Sequence, residues 1–141
     1  MVANQQNMLL AFDECNMKYF DGKLLFPQFD VLHSFRTCGL FRCDYNQGWF
    51  SKKLYNFSIS ITDYYDFTEK QFVDIMCHEM VHYYLAYFGL DKKCRHGREF
   101  KKMAKRLNQK YGLNITKTLD LSLYKRRKGT PLLSYWFSQI F

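Results

Sequence analysis

The sequence predicts an α+β domain, on three observations. A segment of helical period opens the chain, short alternating segments fill residues 29–62, and two more segments of helical period follow. The 141 residues suit a single domain with a real core, since domains typically hold roughly 100 to 200 residues. A hydrophobic content of 48%, with 14 Phe and 11 Tyr, points to a packed globule rather than a disordered chain. There is no repeat, low-complexity tract or Pro-rich linker to mark an internal boundary.

The first helix is expected over residues 7–20, where Met8, Leu9, Phe12, Cys15, Met17 and Tyr19 come close to helical spacing and "DGK" stops it. "FDVLHSFR" (29–36) alternates, "TCGLFRCDY" (37–45) is short and aromatic, and "NQG" (46–48) signals a turn. "FSISIT" (57–62) alternates strictly, so a small sheet of three or four strands is expected. A second helix should run to Phe88, with Asp66 or Thr68 as its cap and Gly89 as its terminator. After the polar loop "DKKCR", a third helix is expected over 97–111, with Phe100, Met103, Ala104 and Leu107 on one face and Gly112 at its end. The stretch "NITKTLDLSLYKRRKG" fits no single pattern.

No run approaches the ~18 apolar residues of a membrane helix, and "MVANQQNMLLAF" lacks the positive region that opens a secretory signal. The expected address is cytoplasmic, nucleoid-associated in a bacterium and nuclear in a eukaryote, with no membrane partner. Five cysteines without a C-x-x-C pair do not make a disulfide framework or a zinc ribbon, so free thiols are expected. The 21 Lys and Arg against 13 Asp and Glu, net +8, favour a polyanionic partner, although solubility alone explains such a charge about as often.

The chemistry is concentrated in "CHEMVH" (77–82), inside the second helix. Each helical residue turns about 100°, so His78 and His82, at i and i+4, stack on one face and can share an ion. Glu79 stands at the edge of that face, where its carboxylate can take a proton from water without ligating the metal. The bland alternative is a packed helix that carries two histidines by chance. A third ligand decides between them, because a catalytic zinc takes three protein ligands and keeps one position open.

His96 lies 14 positions beyond His82. The helix climbs roughly 9 Å from His82 to Phe88, and the seven residues 89–95 easily span the return. The metzincin arrangement is excluded, since it needs Gly and His where Leu85 and Phe88 stand. Glu99, in the manner of gluzincins, and Cys94, as a thiolate, compete with His96 for the third place. Cys77 points about 100° away from His78 and reads as core, and His33 reads as a structural or surface histidine.

"FDECNMKYFDGKL" (12–24), "SFRTCGLF" (34–41), "FSISIT", "HEMVHYYL" (78–85), "HGREF" (96–100) and "GLNIT" (112–116) together resemble the SprT-like (Spartan-type) zinc metalloprotease family. The pairing of H-E-M-V-H with a later H-G-x-x-F is far more specific than the zinc motif alone. The resemblance implies a zincin-like core over residues 1–120, with Zn2+ on His78, His82 and His96 and Glu79 as catalytic acid and base. It implies an endopeptidase acting on proteins associated with or crosslinked to DNA. Residues 121–141 then form a basic and aromatic segment without the zinc ribbon that family members often append.

Expected partners are a protein substrate and DNA with single-stranded character, bound by a monomer. Nine cations fall among residues 92–110, against only Asp91 and Glu99, and 125–128 form a second cluster. Lys92, Lys93, Arg95, Arg98, Lys125, Arg126, Arg127 and Lys128 are therefore the candidate phosphate contacts. Tyr111, Tyr124, Tyr135 and Trp136 are the aromatics available to stack on bases. "FSISIT" is an expected edge strand that would hold substrate by strand addition. The rival from another class is a non-catalytic, zinc-stabilised DNA-binding module, in which the histidines only hold helices together.

Overall fold

Asn4 starts the first helix: its side chain accepts the Asn7 N–H at 2.8 Å, and α1 (Gln5–Tyr19) follows. The computed structural model describes residues 1–47, 52–91, 93 and 95–127. Met8, Phe12 and Cys15 form the buried stripe of α1, whereas Leu9 and Met17 face solvent. The fourth buried position is polar. Asn16 donates to the Leu24 carbonyl at 2.8 Å and accepts the Leu24 N–H at 3.2 Å, closing the turn through Asp21 and Gly22, both of positive φ.

The strands form a three-stranded sheet in the order β1-β3-β2, where β1 is Gln28–Leu32, β2 is Gly39–Gln47 and β3 is Lys52–Thr62. β1 pairs parallel to β3, and β2 pairs antiparallel to it with a bulge between Arg42 and Asp44. β3 is therefore the central strand, which corrects the expectation that "FSISIT" lies at an edge. Alternation reports which side chains are apolar, not where a strand sits. Ile59 and Ile61 are fully buried, and Ser60 and Thr62 are buried as well. β1 is shorter than its alternating pattern suggested. Beyond it the Ser34 N–H donates to the Thr62 hydroxyl and the Thr37 N–H to the Ser34 hydroxyl, local bonds that divert the chain from the ladder.

Thr68 caps α2 (Glu69–Tyr87) in a full capping box, accepting from the Gln71 N–H at 3.1 Å while Gln71 accepts the Thr68 N–H at 2.9 Å. Asp66, the other expected cap, instead belongs to β4 (Tyr65–Asp66) and binds the N-terminal ammonium. Gly89, at φ 70°, ends α2, and the Leu90 N–H returns to the Leu85 carbonyl at 2.8 Å. α2 touches α1, α3, β2 and β3, so it runs through the middle of the molecule. Tyr83 shows how its apolar face is held: fully buried, it packs on Phe41 and Phe57 and donates its hydroxyl to the Leu25 carbonyl at 2.9 Å.

α3 (Arg98–Tyr111) buries Phe100, Met103, Ala104 and Leu107, as its period predicts, and Gly112 closes it at φ 69°. It returns antiparallel to α2, because the Gly112 carbonyl accepts from Lys70 and the Asn114 N–H donates to Asp74, both in the first turns of α2. The stretch that fitted no pattern forms a 3-10 turn at Leu121–Leu123 and then β5 (Lys125–Arg126), which pairs antiparallel with β4. Tyr124 packs there on Tyr65 and Phe67. Among the described residues no helix is long and apolar enough to cross a membrane.

Candidate metal centre

α2 presents His78 and His82 one turn apart, and the loop after it brings His96 back over them. Asp91 shapes that loop: its carboxylate accepts the Lys93 N–H at 3.0 Å and the Arg95 N–H at 3.1 Å. The His96 Nε2 stands 3.1 Å from the Nε2 of His78 and 3.1 Å from that of His82, and the ligand atoms of all three lie within 4.8 Å of one another. Nitrogens bound tetrahedrally to one zinc at about 2.0 Å lie about 3.3 Å apart, so this donor set fits an ion of that size. Among the described residues no other such group of His, Cys, Asp and Glu occurs.

The electrostatics suit ligation. Burial, reinforced by His96, lowers the His78 pKa to about 4, partly offset by the Thr116 backbone beside the ring. Burial, then His78 and His96, lowers His82 to about 3, and Asp91 opposes this. His96 is lowered by burial and then by Lys117. All three rings are thus neutral at neutral pH, the form that offers a lone pair to a metal.

A metal-binding imidazole usually donates its second N–H to a carboxylate or carbonyl. Here the buried Nδ1 atoms of His78 and His82 make no hydrogen bond of ordinary geometry among the described residues, although the Thr116 backbone lies beside His78, so packing takes a larger share in orienting the rings. Phe100 supplies it. Its ring lies 4.9 Å from that of His78, 4.7 Å from His82 and 4.8 Å from His96, beneath all three. The sequence placed Phe100 on the buried face of α3 without showing this role; its signal was the spacing of four from His96.

Glu79 is buried, with Oε1 3.9 Å from the His78 Nε2. Burial pushes its pKa up to about 8, against the Phe41 backbone N–H, which donates to the carboxylate. A cleft of about 360 Å³ opens beside it, lined by Arg36, Cys38, Gly39, Lys117 and Leu119 together with His78 and His96. The contribution of β2 to this site was not visible in the sequence.

Glu99 faces a separate pocket with Tyr84 and Leu90, and Cys94 lies outside the described residues. Cys77 is fully buried beside the Cys15 thiol, and His33 is a surface residue 3.0 Å from Asp63.

The candidate phosphate contacts fall at two places. Lys93, Arg95 and Arg98 are exposed near His96, with Arg95 3.8 Å from Asp91. Lys125 and Arg126 are exposed on β5, Arg127 pairs with Asp63 at 3.4 Å, and Lys92 and Lys128 lie outside the described residues. The exposed face of α3, with Lys101, Lys102, Lys105, Arg106 and Lys110, runs from beside the His96 loop toward the first turn of α2.

The model of the SprT-like family matches residues 9–119. Neither a curated protein nor a solved structure matches the chain.

Proposed function

The chain belongs to the SprT-like family, and on that premise we propose that it is a zinc-dependent endopeptidase acting on proteins associated with or crosslinked to DNA. The observation that carries this reading is the convergence of three neutral imidazoles beside a buried carboxylate that is not one of the group. His78, His82 and His96 would hold the ion; three nitrogen ligands suit zinc and leave a position open. When bound, zinc supplies Lewis acidity toward a carbonyl and a water. Burial alone leaves Glu79 largely protonated at neutral pH; the positive charge of a bound ion would draw it back to the carboxylate, which would take the proton of the attacking water and deliver it to the departing amine. A purely structural site would have no use for a carboxylate held dry at this place, which favours the enzyme over the zinc-stabilised module.

The free edge of β2 takes over the role first expected of "FSISIT". Among the described residues β2 pairs only with β3, and its beginning lines the cleft, so an extended peptide laid along that edge beyond the Phe41–Glu79 contact would run past the triad. The exposed cations of α3 would hold nucleic acid next to the cleft, bringing bound proteins within reach.

The test is incubation with an unstructured protein and with a protein bound to single-stranded DNA, each with and without a zinc chelator and beside Glu79→Gln. Cleavage by wild type alone, abolished by chelator and restored by zinc, is expected. Equal cleavage by Glu79→Gln that retains its zinc would overturn the assignment.

A further inference from the structure

Gly39 opens β2 opposite Ile61, two residues before Phe41, so the backbone groups of the two point to the same side of the strand. That side meets α2, where the Phe41 N–H donates to Glu79. Glycine weakens a strand interior, and there it often marks a close approach. Gly39 is not among the glycines of positive φ, so its backbone does not demand glycine. Space does. A Cβ at position 39 would lie 3.0 Å from the Glu79 Oε1, 3.1 Å from its Cγ and 3.1 Å from the Ile75 Cγ2. Carbon contacts settle at about 3.5–4.0 Å, so something would have to give. Ile75 and Glu79 are both buried at the cleft wall, but the nearest atom is the carboxylate end of the longer, more flexible Glu79 side chain, so Glu79 is the part that moves more readily.

We propose that Gly39 is a positioning residue: its missing side chain, together with the Phe41 N–H, sets where the Glu79 carboxylate stands beside the histidine triad. The proposal rests on the reading of Glu79 as general base. Glu79 is then held from two sides, by its own helix and by the edge strand across the cleft. The strand that would align a peptide also aligns the base, which keeps the two in register.

Gly39→Ala in the full, zinc-loaded chain tests this. Its kcat should fall about tenfold or more, as small misplacements of a catalytic group do, with KM and zinc content within twofold of wild type. An unchanged kcat would overturn the proposal. A second measurement does not depend on proteolysis. Gly39→Ala should lower the thermal midpoint by about 4 °C, an overpacking effect, and by less than half as much beside Glu79→Ala. Equal shifts in the two backgrounds would refute the contact. If wild type cleaves nothing, the proteolytic reading fails by itself, and the two midpoints still decide whether Gly39 seats Glu79.

Discussion

The His82 imidazole stacks on the Phe100 ring, with centroids 4.7 Å apart and planes 27° from parallel. Among the described residues the Nδ1 atoms of His78 and His82 make no hydrogen bond of ordinary geometry, so toward a bound ion this contact and those to His78 and His96 would take the orienting role of second-shell hydrogen bonds. Phe100→Ala should therefore weaken zinc binding about tenfold or more, besides destabilising the protein by about 3–5 kcal/mol as a buried Phe truncation. Phe100→Leu, which nearly keeps the volume, should recover much of the stability but less of the affinity. Chelator competition and urea unfolding measure the two effects; zinc affinity untouched in folded Phe100→Ala would refute the role.

Metal-free protein should be most stable near pH 6.5. The folded pKa values of His78 and His82, about 4 and 3, lie below the unfolded value of 6.5, so their stabilising effect is lost as pH falls below 6.5. Glu79 acts in the opposite sense, because its folded pKa of about 8 exceeds the unfolded 4.5. Stability should thus decline from pH 6.5 to 8, by at most about 1.4 kcal/mol per pH unit for one proton. Glu79→Gln should flatten that decline. Urea unfolding in chelator provides the measurement, and a wild-type curve rising over this range would contradict it.

If the exposed face of α3 holds phosphates, Lys101→Glu combined with Lys105→Glu should weaken binding to single-stranded DNA. The slope of log affinity against log salt should become shallower by roughly one per contact removed. Fluorescence anisotropy at several salt concentrations reads this directly. A wild-type affinity indifferent to salt would remove the basis for a phosphate interface.

Cys38 lines the cleft, yet its thiol should be inert. Burial pushes its pKa up to about 12, so the reactive thiolate is scarce at neutral pH. Iodoacetamide at pH 7.5 should label Cys38 at least about a hundredfold more slowly in the native protein than after denaturation. Mass spectrometry of timed samples checks the rate, and rapid native labelling would show the thiol to be accessible.

Much of the helical part of the site was legible because its signals are local. Thr68 as one of two candidate caps, the i, i+4 histidines, Gly89, and a fourteen-residue separation short enough to bring His96 back are all contained in one stretch of chain. The sheet order was not legible. Whether β3 lies at the centre depends on pairings with β1 and β2, and nothing in "FSISIT" specifies its neighbours. The Asn16–Leu24 clamp escaped notice because a polar residue in a helix normally reads as solvent-facing. Gly39 was one glycine in a strand pattern, and its value lies in a side chain 40 positions away.

The three histidines all fall within residues 78–96, while the seat of Glu79 is provided by β2, much earlier in the chain. If the triad holds an ion, its capture draws on one short helix–loop–helix segment, whereas a base at Glu79 also needs the sheet in place. A preparation could then carry a full complement of metal in molecules whose β2 has come away from α2. Metal content then overstates the active fraction, and active molecules are better counted by a measurement that senses Glu79 in its seat.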